Sequence, residues 1–333
     1  MTICQCALLA CALAVSSVPS ACNHANSSSR SVALKDVSEL PGNPKVIADY
    51  QPWFGDPDHI NVGYNSQDPN VLRKQIENAS NMGIYAFAVD WYGPRRPFLD
   101  RSTALLARIA SEQHFHIALM YDETQDDNGH GTDDAMEAME LAYQKYIGPS
   151  APGRDAYLMY RGRPVIFVFP KRGHTDWNQV RQQVNQWESA PILLYQNDPP
   201  SESAKAFDGE YAWVYPGHKG WSPDGQAWGE DYLHDFYEKM RTKHPDEITV
   251  GGVWPGFNDT KASWSLNRHI DARCGETFED TLRVFAENDE PSHSIPFVLI
   301  ATWNDYEEGT AIERGLPHCG ESKANIAPGE AGH

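Results

Sequence analysis

The stretch Pro296–Thr310, PFVLIATWNDYEEGT, changes character at its middle. Its first half is almost entirely apolar and does not alternate between polar and apolar residues, which is the pattern of a strand buried on both faces of a parallel sheet. Its second half, Trp303–Gly309, contains three carboxylates, one amide and two aromatic rings. A buried strand that leads directly into such a cluster predicts a functional site at the carboxyl end of a parallel sheet.

The same succession of an apolar run and a polar cluster occurs eight times along the chain. The candidate strands lie within residues 46–55, 84–93, 115–123, 163–172, 191–198, 209–218, 248–259 and 296–309. Most of them precede a segment whose apolar residues recur at intervals of three and four, which indicates an amphipathic helix. Eight such units predict an α/β fold, a single-domain (β/α)8 TIM barrel over residues 45–315. An open, doubly wound parallel sheet is the alternative at this point.

Polar and aromatic residues concentrate after the candidate strands rather than before them. In a barrel these strand ends meet at one rim, where active sites are built. The residues expected to bind a substrate at this rim are Trp53, Asp90, Trp91, Tyr92, Asp122, Glu123, Asn197, Tyr215, Trp254, Asn258, Trp303 and Asn304. A simpler interpretation, capping of the next helix, is favoured for Asp56, Asp176 and Asp198.

Two carboxylates of the last cluster are candidates for a catalytic pair. Glycosidases divide the work between a protonated carboxyl group, which donates to the leaving oxygen, and an ionised one, which acts as base or nucleophile. Glu308, next to Gly309 and close to aromatic residues, fits the protonated role. Asp305 fits the ionised role, because hydrogen bonds in a position beside Asn304 would favour its charged form. Glu307 is expected to be a solvated neighbour.

These clusters resemble those of glycoside hydrolase families 71 and 99. The similarity rests on three motifs, which are Trp303-Asn304-Asp305-Tyr306-x-Glu308-Gly309-Thr310, Trp53-Phe54-Gly55 and Asp90-Trp91-Tyr92-Gly93. Both families consist of (β/α)8 enzymes, the first containing α-1,3-glucanases and the second endo-acting α-mannosidases. The resemblance implies that Glu308 is the general acid and Asp305 its partner base. Family 99 has glutamate where Asp305 stands, so α-glucan and α-mannan both remain candidate substrates.

The charge of the chain limits its partners. Its 333 residues carry a formal net charge of −19, which argues against nucleic acid and anionic membrane surfaces because few cations are available to neutralise phosphates. A carbohydrate is the expected partner, and we predict a monomer.

The sequence predicts no cofactor and no metal ion. It lacks a phosphate-binding loop, a dinucleotide-binding glycine motif and a nucleophile elbow. His114 and His116 imitate the His-x-His of metal-dependent barrel hydrolases, but they lie at the start of the third candidate strand, at the opposite end from the clusters. Two alternatives to a glycosidase remain, a catalytically silent carbohydrate-binding barrel and a metal-dependent hydrolase.

The ends of the chain show export and linker patterns. Residues 1–21 combine an apolar run with a small-residue segment, as in a signal peptide, and predict a secreted or periplasmic protein. A lipid anchor at Cys22 remains open, and no stretch predicts a membrane span. Residues 22–44 are expected to form a solvated linker and residues 316–333 a tail. Cys274 and Cys319 form either a disulfide or two separate thiols.

Overall fold

A computed structural model describes residues 33–125, 129–171 and 174–316, and within them eight parallel strands form a closed barrel. The strands are β1 (Lys45–Tyr50), β2 (Ala86–Trp91), β3 (His116–Asp122), β4 (Arg163–Phe169), β5 (Ile192–Gln196), β6 (Gly209–Tyr211), β7 (Ile248–Val253) and β8 (Phe297–Ile300). Each pairs in parallel with the next along the chain. β8 pairs with β1, Lys45 lying opposite Phe297, and this closes the sheet. The (β/α)8 barrel is therefore confirmed, and the doubly wound alternative is wrong.

Six helices lie between the strands in the described part of the chain. They are α1 (Pro69–Asn81), α2 (Pro97–Glu112), α3 (Gly131–Ala142), α4 (Trp177–Val184), α5 (Glu230–Lys243) and α6 (Glu276–Asn288). The connection from β5 to β6 contains only a short 3-10 turn, Ala204–Ala206, among its described residues. Two short strands, Phe257–Asn258 and His269–Ile270, pair within the β7–α6 connection, and Met159–Tyr160 pairs with β4. No described helix is long and apolar enough to cross a membrane.

The strands read as continuous apolar runs because both of their faces are buried. In β1, Ile47 belongs to the cluster that fills the barrel, whereas Val46 and Ala48 pack in the layer shared with the helices. All six residues of β2 are buried. This alternation also decides which side chains at a strand end can reach the barrel opening, since successive residues point to opposite faces.

The segment before the barrel differs from the predicted solvated linker. Leu34–Glu39 forms a 3-10 helix, and the side chain of Val37 is fully buried in the core. Leu34 and Leu40, three residues to either side, pack against the same cluster. Apolar residues at intervals of three lie on one side of a 3-10 helix, so this short segment covers part of the barrel.

The predicted signal peptide, Cys22, Cys319 and most of the predicted tail lie outside the described residues. Cys274 is disulfide-bonded, whereas its pairing with Cys319 stays a prediction.

Candidate active site

A cavity of about 470 Å³ opens at the carboxyl ends of the strands. Seven of the predicted site residues line it, namely Trp53, Asp90, Tyr92, Asp122, Glu123, Asp305 and Glu308. They come from the ends of β1, β2, β3 and β8, so the barrel brings together residues that are distant in the chain. The cavity also contains residues that were not predicted, among them Asp49, Gln51, His59, Lys171, Trp213 and Trp264.

The loop after β8 places Asp305 and Glu308 in this cavity. Asp305 Oδ1 accepts the backbone N–H groups of Glu307 (2.9 Å) and Glu308 (2.8 Å), and the N–H of Asp305 donates to Thr302 Oγ1 at 2.8 Å. Gly309 then turns the chain with φ of +66°, a region in which glycine avoids the strain of a side chain. These contacts define a tight turn that orients the two carboxylates without help from a following helix.

Glu308 lies nearer the cavity opening than Asp305. Its side chain is 19% exposed, whereas Asp305 is 2% exposed. Trp264 Nε1 donates a hydrogen bond to Glu308 Oε1 at 3.0 Å, and Arg268 Nη2 lies 3.8 Å from the same oxygen. The backbone N–H of Asn258 donates to the Glu308 carbonyl at 2.7 Å. Asn258 therefore supports this loop through its backbone and is not among the residues that line the cavity.

The electrostatics of the pair differ from the predicted division. Burial, together with the neighbouring charge of Glu308, raises the pKa of Asp305 well above its ordinary range, in spite of the two backbone hydrogen bonds. Burial also raises the pKa of Glu308, opposed by the Trp264 hydrogen bond and by the charges of Arg268 and Lys171. Both groups therefore favour the protonated form, and the pair titrates as a unit.

Three further carboxylates, those of Asp49, Asp90 and Asp122, line the same cavity as this pair. Lys171 Nζ lies 3.3 Å from Asp122 Oδ2, and the Tyr92 hydroxyl donates to Asp90 Oδ2 at 3.2 Å. Burial raises the pKa of Asp122 to about 6, opposed by Lys171. The pKa values of Asp49 and Asp90 are raised well above the ordinary range, first by burial and then by the neighbouring carboxylates.

Several polar atoms of this cavity have no partner among the described residues. Gln51 Nε2 donates to Asp49 Oδ2 at 2.6 Å, but Asp49 Oδ1, Gln51 Oε1 and Asp122 Oδ1 are buried and accept no hydrogen bond from described groups. Buried polar groups are normally paired with protein, water or ligand. These three oxygen atoms can therefore accept hydrogen bonds from a ligand that carries hydroxyl groups.

Aromatic rings form one wall of the cavity. The rings of Trp53 and His59 stack with centroids 4.4 Å apart and an interplanar angle of 3°. Trp264 packs edge-on against both rings, at 6.0 Å from each. Such a wall provides flat apolar surface next to the carboxylates.

Glu307 holds this wall in place and is not solvated, contrary to the prediction. Its side chain is 2% exposed; one oxygen lies 2.7 Å from His59 Nδ1, and the other accepts the backbone N–H of Ile60 at 3.2 Å. The loop between β1 and α1 brings His59 to this carboxylate although the two residues lie 248 positions apart in the chain, so no local sequence pattern predicts the contact.

Three predicted aromatic residues lie outside the cavity. Trp91, Trp254 and Trp303 are fully buried in the layer between strands and helices. Trp91 follows Asp90 directly, so its side chain points to the opposite face of β2. Trp254 Nε1 donates to the carbonyl of Trp228 at 3.0 Å, and these three residues serve packing instead of substrate binding.

Asn304 is likewise a structural residue. Its Oδ1 accepts the backbone N–H of Gln51 at 2.7 Å, and its Nδ2 donates to the carbonyl of Gln51 at 3.0 Å. The fully buried amide thus joins the end of β1 to the loop after β8. Glu123 lines the cavity, but both of its oxygens are occupied, by Trp177 Nε1 at 2.7 Å and by the Lys171 backbone N–H at 2.8 Å.

Asn197 and Tyr215 line a separate cavity beside α5 and not the cavity that contains Asp305. The capping interpretation is confirmed for Asp176, which accepts the N–H groups of Asn178 and Gln179 at the start of α4. Asp198 instead pairs with Lys239 at 2.8 Å.

The fold and the cavity define a glycoside-hydrolase-like TIM barrel. Comparison with known proteins shows that this fold is similar to that of family 99 endo-α-mannosidases. The family 99 endo-α-mannosidase of Bacteroides thetaiotaomicron, in complex with bis-tris-propane, superposes with a TM-score of 0.62 at 18% identity, over 80% of this chain and 86% of that one. A structure described as a glycoside hydrolase-like protein gives a TM-score of 0.58 at 14% identity, over 82% and 90% of the two chains.

The sequence comparison is more distant. The chain is 23% identical over 304 residues to a human glycoprotein endo-alpha-1,2-mannosidase-like protein, covering 83% of this chain. It spans 62% of the length of that relative. No protein-family model matches the chain. The resemblance to family 99 is thus confirmed as a distant similarity of sequence and a similarity of fold.

Proposed function

We propose that this protein is an exported glycoside hydrolase that cleaves α-glycosidic bonds in an oligosaccharide or polysaccharide of the α-mannan or α-glucan type. The observation that carries the proposal is the joint position of Asp305 and Glu308, on one tight turn, in a cavity at the carboxyl end of a barrel. Carboxyl pairs in such a position are the machinery of glycosidic bond cleavage.

The surroundings of the two carboxyl groups assign their roles. Glu308 is the more exposed of the two and is oriented by the Trp264 N–H, so it donates its proton to the leaving oxygen as the bond to the anomeric carbon breaks. Asp305 lies deeper and is fixed by two backbone N–H groups. When the coupled pair holds one proton, on Glu308, Asp305 is ionised and accepts the proton of the attacking hydroxyl group. A carboxyl group with a raised pKa remains protonated near neutral pH, as an acid catalyst requires.

The remaining cavity residues fit a sugar. The Trp53–His59 stack and Trp264 offer apolar faces for the C–H groups of a pyranose ring. Asp49, Asp90 and Asp122 offer carboxylate oxygens to sugar hydroxyl groups, and Lys171 offers a donor. The relatives support this substrate class, since two of them are described as endo-α-mannosidases or similar to one.

The decisive experiment is a screen of purified protein on soluble α-mannans and α-glucans, with the anomeric form of the first product followed by NMR. We expect one polymer class to yield shorter products and the Glu308→Gln variant to yield almost none. A protein that binds a glycan without cleaving it would instead be the silent carbohydrate-binding barrel. Sequencing of the mature amino terminus tests export, which requires removal of residues near 1–21.

A chelator tests the metal-dependent alternative. Within residues 33–125, 129–171 and 174–316, one group with metal-ligand geometry is found, Glu210, His244 and Glu247, near the amino end of β7 and away from the cavity. Glu210 already contacts the Lys239 ammonium group. We expect activity to persist in the chelator, and loss that a metal specifically restores would contradict this.

A further inference from the structure

A second cavity, of about 760 Å³, lies beside the barrel and is larger than the one that holds the catalytic candidates. The residues after β5 and β6 form one side, and one face of α5 forms the other. The α5 residues Tyr232, Phe236, Lys239 and Lys243 recur at intervals of three and four, so they share one face of the helix. This cavity and the catalytic cavity have no lining residue in common.

An exposed aromatic ring dominates the second cavity. Tyr215 is 44% exposed although it is a large aromatic residue. Its ring packs against Tyr232 with centroids 5.3 Å apart and an interplanar angle of 66°. Tyr232 is itself anchored, since its hydroxyl group donates to Asn197 Oδ1 and accepts the backbone N–H of Trp213 at 3.1 Å. Tyr215 is therefore supported from one side and free to stack with a ligand on the other.

The polar groups around this ring are balanced in charge. His218 Nε2 lies 2.6 Å from Asp235 Oδ2, and Lys239 Nζ lies 2.8 Å from Asp198 Oδ1. Three carboxylates and two lysine ammonium groups line the cavity, together with one histidine. Because neither sign dominates, the cavity suits a neutral ligand that both donates and accepts hydrogen bonds.

The position of the cavity relates it to the catalytic one. Trp213 lines the catalytic cavity, and Tyr215, two residues further along the same segment after β6, lines the second one. Two residues of chain span at most about 7 Å, so a ligand longer than one ring can contact both.

We infer that the second cavity is a binding site for a neutral saccharide chain, with Tyr215 as its stacking platform. That the same chain extends into the catalytic cavity rests on the proposed function; binding at Tyr215 does not. Such a site increases the affinity for long substrates without touching the reacting bond. It would favour polymers over short oligosaccharides.

The test measures retention in native gels that contain soluble α-mannan or soluble α-glucan. The Glu308→Gln protein is the parent, so that the polymer stays intact. We expect retention in at least one gel and a loss of affinity of about 3- to 10-fold in Tyr215→Ala, the usual worth of an aromatic contact. Tyr215→Phe should bind nearly as the parent does. Asp235→Ala, at an exposed position, probes the same cavity and should also bind more weakly.

Tyr85→Ala is the matched control, because Tyr85 is 38% exposed and precedes β2 at the opposite end of the barrel. It should not change retention. No retention of the parent in either gel, or equal retention of Tyr215→Ala and the parent, would overturn the inference. Binding without cleavage by the unmutated protein would contradict the proposed function alone.

Discussion

At the scale of single residues, substitutions of Glu308 and Asp305 are expected to have different effects on turnover, although the two residues are only three positions apart. Glu308→Gln keeps the size of the side chain and can still accept the Trp264 N–H, but it has no proton to donate. Turnover of the natural substrate should fall by roughly 10²- to 10⁴-fold, the usual contribution of general acid catalysis. An aryl glycoside with a good leaving group needs little protonation and should lose far less. The measurement is kcat on both substrates.

Asp305→Asn should slow both substrates to a similar extent, because activation of the attacking hydroxyl group is needed whatever the leaving group. The control is Asp58→Asn, which alters a carboxylate that is 65% exposed on the same side of the barrel and pairs with the exposed Arg96. Its activity should change little, since such ion pairs are weak. Full activity of Glu308→Gln on the natural substrate would refute the assignment, and Asp90 and Asp122 would become the next candidates.

Single residues also show how much of the candidate site could be predicted from the sequence. The motif around Trp303 identified Asp305 and Glu308, because a cluster of carboxylates after an apolar strand is unusual. For other residues, the missing information was the face of the strand to which each side chain points. Every second side chain of β1 and the residue after it, namely Ile47, Asp49 and Gln51, points toward the barrel interior or the cavity. Strict alternation would therefore have predicted Asp49 and would have placed Trp91 outside.

At the scale of elements, the loop between β1 and α1 depends on Glu307. Its buried carboxylate contacts His59 Nδ1 and the N–H of Ile60, and His59 in turn stacks on Trp53. Glu307→Gln should therefore lower the free energy of unfolding by about 1–3 kcal/mol, the cost of an unsatisfied buried polar group. It should also reduce activity by displacing the aromatic wall. Urea unfolding and kcat/KM measure the two effects.

Asp58→Asn serves again as the control, since Asp58 lies in the same loop but is exposed. Limited proteolysis adds a local readout: the Glu307→Gln protein should be cut faster between Gln51 and Asp68 than the unmutated protein. Unchanged stability and an unchanged cleavage rate would show that Glu307 does not hold this loop.

The elements themselves were largely predictable, whereas the loops were not. Continuous apolar runs located all eight barrel strands, and apolar residues at intervals of three and four located the helices, because burial imposes these patterns on the sequence. Trp264 lies in the long connection after β7, where no period constrains the side chain, and its contact with Glu308 exists only in the folded chain. Asn197 and Tyr215 were correctly placed after strands, but they line the cavity beside α5 and not the catalytic one.

At the scale of the whole molecule, the cavity brings together carboxyl groups whose pKa values are higher in the folded protein than in the unfolded chain. Burial raises the pKa of Asp49, Asp90, Asp305 and Glu308, and that of Asp122 to about 6 from 3.8. Between about pH 4 and 6 the folded protein thus holds protons that the unfolded chain has released. Stability falls with rising pH wherever the folded state binds more protons.

We therefore predict that the protein is more stable at pH 5 than at pH 8, with the loss beginning near pH 4 and continuing above pH 6 as the carboxyl groups with higher pKa values ionise. The change in the pKa of Asp122 alone corresponds to about 3 kcal/mol. Urea unfolding at a series of pH values measures the trend.

Asp49→Asn, which replaces a buried carboxyl group by a neutral amide, should flatten the curve and raise stability at pH 8 relative to the unmutated protein. Glu39→Gln, at an exposed position before the barrel, should leave the curve unchanged. A stability that rises from pH 5 to pH 8 would mean that the carboxyl groups of the cavity are ionised in the folded state and are stabilised by partners, instead of being held protonated by burial.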